Sequence, residues 1–145
     1  MRWDLEAIAK LREYTARTAA LTTLPMEIKR LEEDCGRIRS ATADGTPVHG
    51  GGNIREDMLL SNICLREELA KQFADTKAWL EIVDHALTAL TEDERLVLDR
   101  FYINPHKGSI DRLCGELCVE KAGVYKRKDK ALRHFTVALY GKVES

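Results

Sequence analysis

The chain has 145 residues, enough for one domain or two small ones and for a buried core, but short for an enzyme with an elaborate site. Charged residues make up 32% and aromatics 6%, a balance of long exposed helices that is poor in the rings lining most catalytic pockets, so an all-α fold is expected. The formal net charge of −1 argues against a nucleic-acid binder until its distribution is considered: residues 1–90 hold 12 Lys and Arg against 15 Asp and Glu, whereas residues 121–145 hold 7 against 2.

Met1-Arg2-Trp3-Asp4 leads straight into charged helical sequence without the apolar run of a signal peptide. No stretch approaches the roughly 20 apolar residues of a membrane helix, so a cytoplasmic protein with reduced cysteines and no membrane partner is expected.

Trp3 to about Thr22 reads as a first helix, with Asp4 as N-cap and Trp3 placed to staple against Ile8. Thr22-Thr23-Leu24-Pro25 predicts a break, with Pro25 in the first turn of a second helix that carries the stripe Ile28, Leu31, Cys35 and Ile38. Residues 40–54 contain Asp44-Gly45, Pro47 and Gly50-Gly51-Gly52 and predict a flexible linker. A phosphate-binding loop is excluded there, because no strand precedes the glycines and no Gly-Lys-Ser/Thr follows. Residues 55–90 have no breaker and predict one long helix, with Leu65, Leu69, Phe73, Leu80, Val83, Leu87 and Leu90 at spacings of three, four and seven. Such a helix spans on the order of 50 Å, too long for the second helix alone to cover. Residues 1–90 therefore predict a helical bundle or coiled-coil hairpin, closed either by the first helix or by a second copy in a homodimer.

Residues 91–145 form a second predicted domain. Thr91 and Glu94 have the spacing of a capping box, and Leu96, Val97 and Phe101 continue a helix that Asn104-Pro105-His106-Lys107-Gly108 ends. Ser109 is the expected cap of a short helix whose Ile110, Leu113, Cys114 and Leu117 share one face. Cys118-Val119-Glu120 is a tight turn. From Lys121 a longer helix begins, with Val124, Ala131, Leu132 and Phe135 inward and Lys121, Lys126, Arg127, Lys128, Lys130 and Arg133 outward, opposed by Asp129. A short helix, a turn and a cationic helix suit a major groove, where cations meet phosphates and other side chains reach base edges. Tyr125 either contacts a base or phosphate or packs as a rim residue, and Arg95 and Arg100 either touch a DNA backbone or pair with Glu94 and Asp99.

The chemistry of an enzyme is not expected. Cys114 and Cys118 lack the Cys-x-x-Cys spacing and second ligand pair of a zinc site, and Cys114 reads as a core thiol. Nothing arranges a base and an orienting group around a cysteine, His85 reads as a surface side chain, and no cofactor or metal is expected.

Leu90-Thr91-Glu92-Asp93-Glu94-Arg95-Leu96-Val97-Leu98, Ser109-Ile110-x-x-Leu113-Cys114-x-x-Leu117-Cys118-Val119 and Val124-Tyr125-Lys126-Arg127-Lys128-x-Lys130-Ala131-Leu132-Arg133-His134-Phe135 together resemble region 4 of sigma-70-type transcription factors. That module binds an upstream promoter element and touches RNA polymerase. The whole chain, with Trp3-Asp4-x-Leu, Leu24-Pro25-x-Glu-Ile-x-x-Leu-Glu and the Asp44-Gly45-x-Pro-Val-x-Gly-Gly stretch, resembles phage late transcriptional regulators of the ArpU and RinA type. The resemblance implies a DNA-binding regulator in a bacterial host, with double-stranded DNA and RNA polymerase as partners. Matched onto it, the candidate DNA contacts are Ser109, Lys121, Ala122, Tyr125, Lys126, Lys128, Asp129 and Arg133. Three departures stand out: Cys118 occupies a turn position where the family has glycine, which predicts a residue with a Cβ near the left-handed region; Lys121, Ala122, Gly123 and Tyr125 stand where the family carries base-reading Arg and Glu; and Arg127 replaces an apolar residue. Two other functions fit the same pattern of helices: a phage packaging adaptor of the small-terminase kind, and a sigma mimic that binds RNA polymerase.

Overall fold

The computed structural model describes residues 2–43 and 52–142, and every regular element among them is helical. Helix α1 spans Trp3–Ala43, α2 Gly52–Thr88, α3 Glu92–Leu98, α4 Ser109–Leu117 and α5 Lys121–Tyr140. A π-helical turn, Asp99–Ile103, follows α3 directly.

The expected break before Pro25 does not occur, and α1 runs through it. An internal proline removes one helical hydrogen bond and costs roughly 3 kcal/mol. Packing outweighs that cost, since Leu21, Leu24, Ile28, Leu31, Cys35 and Ile38 keep an unbroken 3–4 spacing on the buried side while Pro25 faces outward. The helix start also differs: Asp4 lies inside α1 and accepts two bonds from Arg2, at 3.1 and 2.8 Å, rather than capping it. The predicted linker at 40–54 is shorter, because α1 reaches Ala43 and α2 begins at Gly52; its remainder, 44–51, lies outside the described residues.

Contacts divide the chain into two compact units, Met1–Thr18 with Ala78–Ser145, and Ala19–Lys77. In the second, parts of α1 and α2 pair along a heptad seam. On α2, Leu59, Asn62, Arg66, Leu69, Phe73 and Thr76 take the inward positions, alternating steps of three and four. Two of these are strongly polar, and both are satisfied: Asn62 Nδ2 donates to the Leu31 carbonyl at 2.8 Å, and Arg66 Nε donates to Asn62 Oδ1 at 2.8 Å. Polar groups at seam positions fix the register of two helices at some loss of apolar burial.

The first unit holds two apolar clusters. One joins Ala7 and Leu11 of α1, Val83 and Ala86 of α2, Leu90 in the turn after it, Leu98 of α3, and Ala131, Leu132 and Phe135 of α5. Its rim is tied by Tyr14, whose hydroxyl donates to the Asp84 carboxylate; burial and that carboxylate push the phenol up to about 12. Trp3 packs on Tyr140, ring centroids 4.8 Å apart, while Ile8, its expected partner, packs against this first cluster. The other cluster, Val97, Leu113 and Val124 with Phe101, Ile110, Cys114, Leu117 and Val119 around them, seats α4 and the start of α5. The π turn serves both. Its wider ring, closed by Asn104 N–H on the Asp99 carbonyl at 2.7 Å, sends Phe101 to the second cluster and Tyr102 and Ile103 to the first.

Candidate nucleic-acid interface

The cationic helix α5 is positioned by the turn before it. Cys118 ends α4 at φ 55° and ψ 43°, in the left-handed region, and its N–H reaches the Cys114 carbonyl. The expectation of a residue with a Cβ in the left-handed region therefore holds, at a cost of roughly 1 kcal/mol. After Cys118, Val119 folds against α5: a Cβ on Gly123 would lie 3.3 Å from the Val119 Cβ, so the absent side chain lets the turn close on the helix. Cys118→Gly should raise stability by up to about 1 kcal/mol, read by chemical denaturation, whereas Cys118→Val should lower it. A loss of stability on Cys118→Gly would show that the thiol's contacts outweigh the strain.

On α5, Val124, Ala131, Leu132, Phe135 and Thr136 are buried. The opposite side presents Ala122, Lys126, Asp129, Lys130 and Arg133, all exposed and spaced so that they share one face of the helix. Lys121 is exposed in the first turn, and Arg127, also exposed, lies on the side facing α3, 4.0 Å from Asp93.

Two of the expected contacts, Ser109 and Lys128, take other places. Ser109 is buried, with 6% of its surface exposed, and it does not cap α4. Gly108, at φ 83°, is the residue preceding the helix, and its left-handed backbone turns the Ser109 hydroxyl back onto His106: Oγ accepts from the His106 N–H at 3.0 Å and donates to its carbonyl at 2.6 Å. Lys128 is half-buried rather than outward. Its Nζ binds Asp129 Oδ1 at 2.8 Å and lies 5.8 Å from the ring centroids of both Phe101 and Tyr125. Burial opposes that charge, but the hydrogen bond and charge of Asp129 together with the Tyr102 and Tyr125 phenols outweigh it and hold the ammonium's pKa above its ordinary value. Tyr125 is 39% exposed, its ring set edge-on to Phe101 at 5.6 Å. It is thus both a rim residue and an accessible one, held by Phe101 and Lys128 at the flank of the basic face. Lys130 belongs with that face. Its position four residues after Lys126 and three before Arg133 was the available signal.

The remaining charges near α5 have structural partners. Thr91 and Glu94 close the expected capping box, Glu94 N–H donating to Thr91 Oγ1 at 3.2 Å and Thr91 N–H to Glu94 Oε1 at 3.2 Å. The other Glu94 oxygen meets His134 Nδ1, which ties the start of α3 to α5. Burial raises the carboxyl's pKa, but the Thr91 N–H and His134 outweigh it and hold Glu94 below the usual value. A lowered folded pKa means stability that is present above the unfolded value and lost as pH falls through the folded one. Glu94→Gln should accordingly flatten the acid limb of thermal stability below about pH 4.5; an unchanged limb would show that the pairing contributes nothing.

Arg95 and Arg100 are both internal: Arg95 Nη1 donates to the Leu90 carbonyl at 3.1 Å, at the end of α2, and Arg100 pairs with Asp99 at 2.8 Å. Among the described residues no three His, Cys, Asp or Glu side chains converge as a metal site would need, and no helix is long and apolar enough to cross a membrane. Cys114 packs half-buried against the second cluster, and its thiol is free, as are Cys35, Cys64 and Cys118. Against known proteins, the chain matches no family model, no curated protein and no solved structure.

Proposed function

We propose that this chain is a DNA-binding transcriptional regulator, a phage or prophage late-gene activator related to region 4 of sigma factors, with no enzymatic activity. In this reading α4 and α5 are a helix-turn-helix and α5 is the helix that enters the major groove. The observation that carries it is the exposed face of Lys126, Lys130 and Arg133 on a helix whose other side buries Val124, Ala131, Leu132, Phe135 and Thr136. Lysine and arginine on such a face neutralise phosphates, while Ala122 and Tyr125, at its near end and flank, are placed for base edges and thymine methyls. Asp129, between the cations, is the acceptor on that face and suits a cytosine amino group. RNA polymerase and a second copy of the chain, engaged through α1 and α2, are the proposed protein partners in the cytoplasm of a bacterial host.

The test is binding of the full chain to duplex DNA from upstream of neighbouring late genes, against random duplex of equal length, at about 50 and 200 mM salt. Selective binding that weakens steeply with salt supports the reading. Equal, weak binding to both duplexes overturns it and favours a role on RNA polymerase or in DNA packaging.

A further inference from the structure

The seam of the Ala19–Lys77 unit uses only one side of α2. One residue ahead of Arg55, Leu59, Asn62 and Arg66 stand Ile54, Met58, Ser61 and Leu65, which repeat the same spacing on the adjoining flank of the helix. Ile54, Met58 and Leu65 are 64%, 51% and 41% exposed, far more than apolar residues of a completed bundle. They line a groove of about 690 Å³ between α1 and α2, which also carries Asp34, Arg37 and Asp57. Among the described residues, this unit has no third helix to cover that flank.

We propose that this flank is a homodimerisation surface, on which two copies of the unit close into a four-helix bundle about a two-fold axis. The charges of the groove select this occupant. On α1, Arg37 reaches Asp34 of its own helix at 3.3 Å yet keeps 74% of its side chain exposed, and Asp57 lies on α2, so the surface carries both signs and is complementary to itself: a two-fold axis across the groove sets Arg37 of one copy against Asp57 of the other. An anionic lipid surface or a strongly acidic or basic protein would call for a rim of one sign. The spacing of the stripe favours helices over an extended partner, because steps of three and four present a continuous edge only to another helix packed nearly along it. Four helices are also the smallest arrangement that buries two such flanks at once.

The proposal rests on the reading of a second copy as partner and assigns it a surface, but it is independent of DNA binding, and its test contains no DNA. The mass of the full chain is measured by sedimentation equilibrium over a concentration series, with far-ultraviolet circular dichroism alongside. The natural chain is expected to be a dimer. Met58→Lys with Leu65→Lys should weaken dimerisation at least tenfold, whereas Leu60→Lys, which is 59% exposed but outside the stripe, should leave it unchanged. Arg37→Glu alone should weaken the dimer, and adding Asp57→Arg should restore it; this charge swap decides the matter if the double lysine variant loses helicity. A chain that stays monomeric through tens of micromolar overturns the proposal. So does a dimer indifferent both to the stripe variants and to the charge swap, which would place the contact elsewhere.

Discussion

Replacing Lys126, Lys130 and Arg133 together by alanine should reduce the slope of log affinity against log salt by about 2.7, the sum of three phosphate contacts at roughly 0.9 each. Between about 50 and 200 mM salt the natural chain would then lose roughly forty-fold more affinity for duplex DNA than the variant does. The three side chains are exposed on one face of α5, so fold and melting temperature should stay nearly unchanged. Lys128→Ala is the instructive contrast. Its ammonium is held by Asp129 and lies over the Phe101 and Tyr125 rings, so its loss should act through the setting of Tyr125 and alter discrimination between sequences more than the salt slope. Equal slopes for the natural chain and the triple variant would remove α5 as the phosphate-binding element.

Phe135→Ala should destabilise the chain by about 3 to 5 kcal/mol, a large part of the roughly 5 to 15 kcal/mol that holds a typical domain. Phe135 is fully buried in the cluster that joins α1, α2, α3 and α5, and its loss leaves a cavity that four helices bound by one another cannot collapse to fill. Val137→Ala, two residues on and 44% exposed, should cost under about 0.5 kcal/mol, both variants being compared with the natural chain by urea titration. A Phe135 variant that lost under about 1 kcal/mol would show that α5 rests on the second cluster alone. Because α5 presents its cations on one side and Phe135 on the other, the variant should also lose DNA binding as it unfolds.

Much of the C-terminal region was legible in the residues themselves. The Thr91 and Glu94 spacing specifies a capping box because both groups satisfy backbone donors within one turn, and the structure closes both bonds. The start of α5 at Lys121 followed from the three-residue turn, whereas the left-handed Cys118 was implied only by the resemblance, whose pattern has glycine at that position. These features depend on neighbours three or four residues away, which a sequence displays directly. The helical span of α2 was equally open to reading, but not all of its buried side: Leu65 of the expected stripe is 41% exposed, and Asn62, Arg66 and Thr76 take inward positions because the α1 seam runs along their face.

What depended on distant residues was not. Pro25 alone argues for a break, and only the seam of α1 against α2 supplies the burial that carries the helix through it. Lys128 reads as one more outward cation, yet the π turn places Phe101 where the lysine lies over its ring and that of Tyr125 while pairing with Asp129. Ser109 has the residue type of a cap, but the left-handed Gly108 turns its hydroxyl onto His106. The domain boundary expected near residue 90 and the compact units differ for the same reason: Ala7 and Leu11 pack with Leu98 and Phe135, which lie far along the chain. The sequence by itself determined helix periods, caps and turns, because their energetics are local. Which helix covers which, and which cations are left facing solvent, was decided by tertiary packing, because burial depends on partners that sequence order does not bring together.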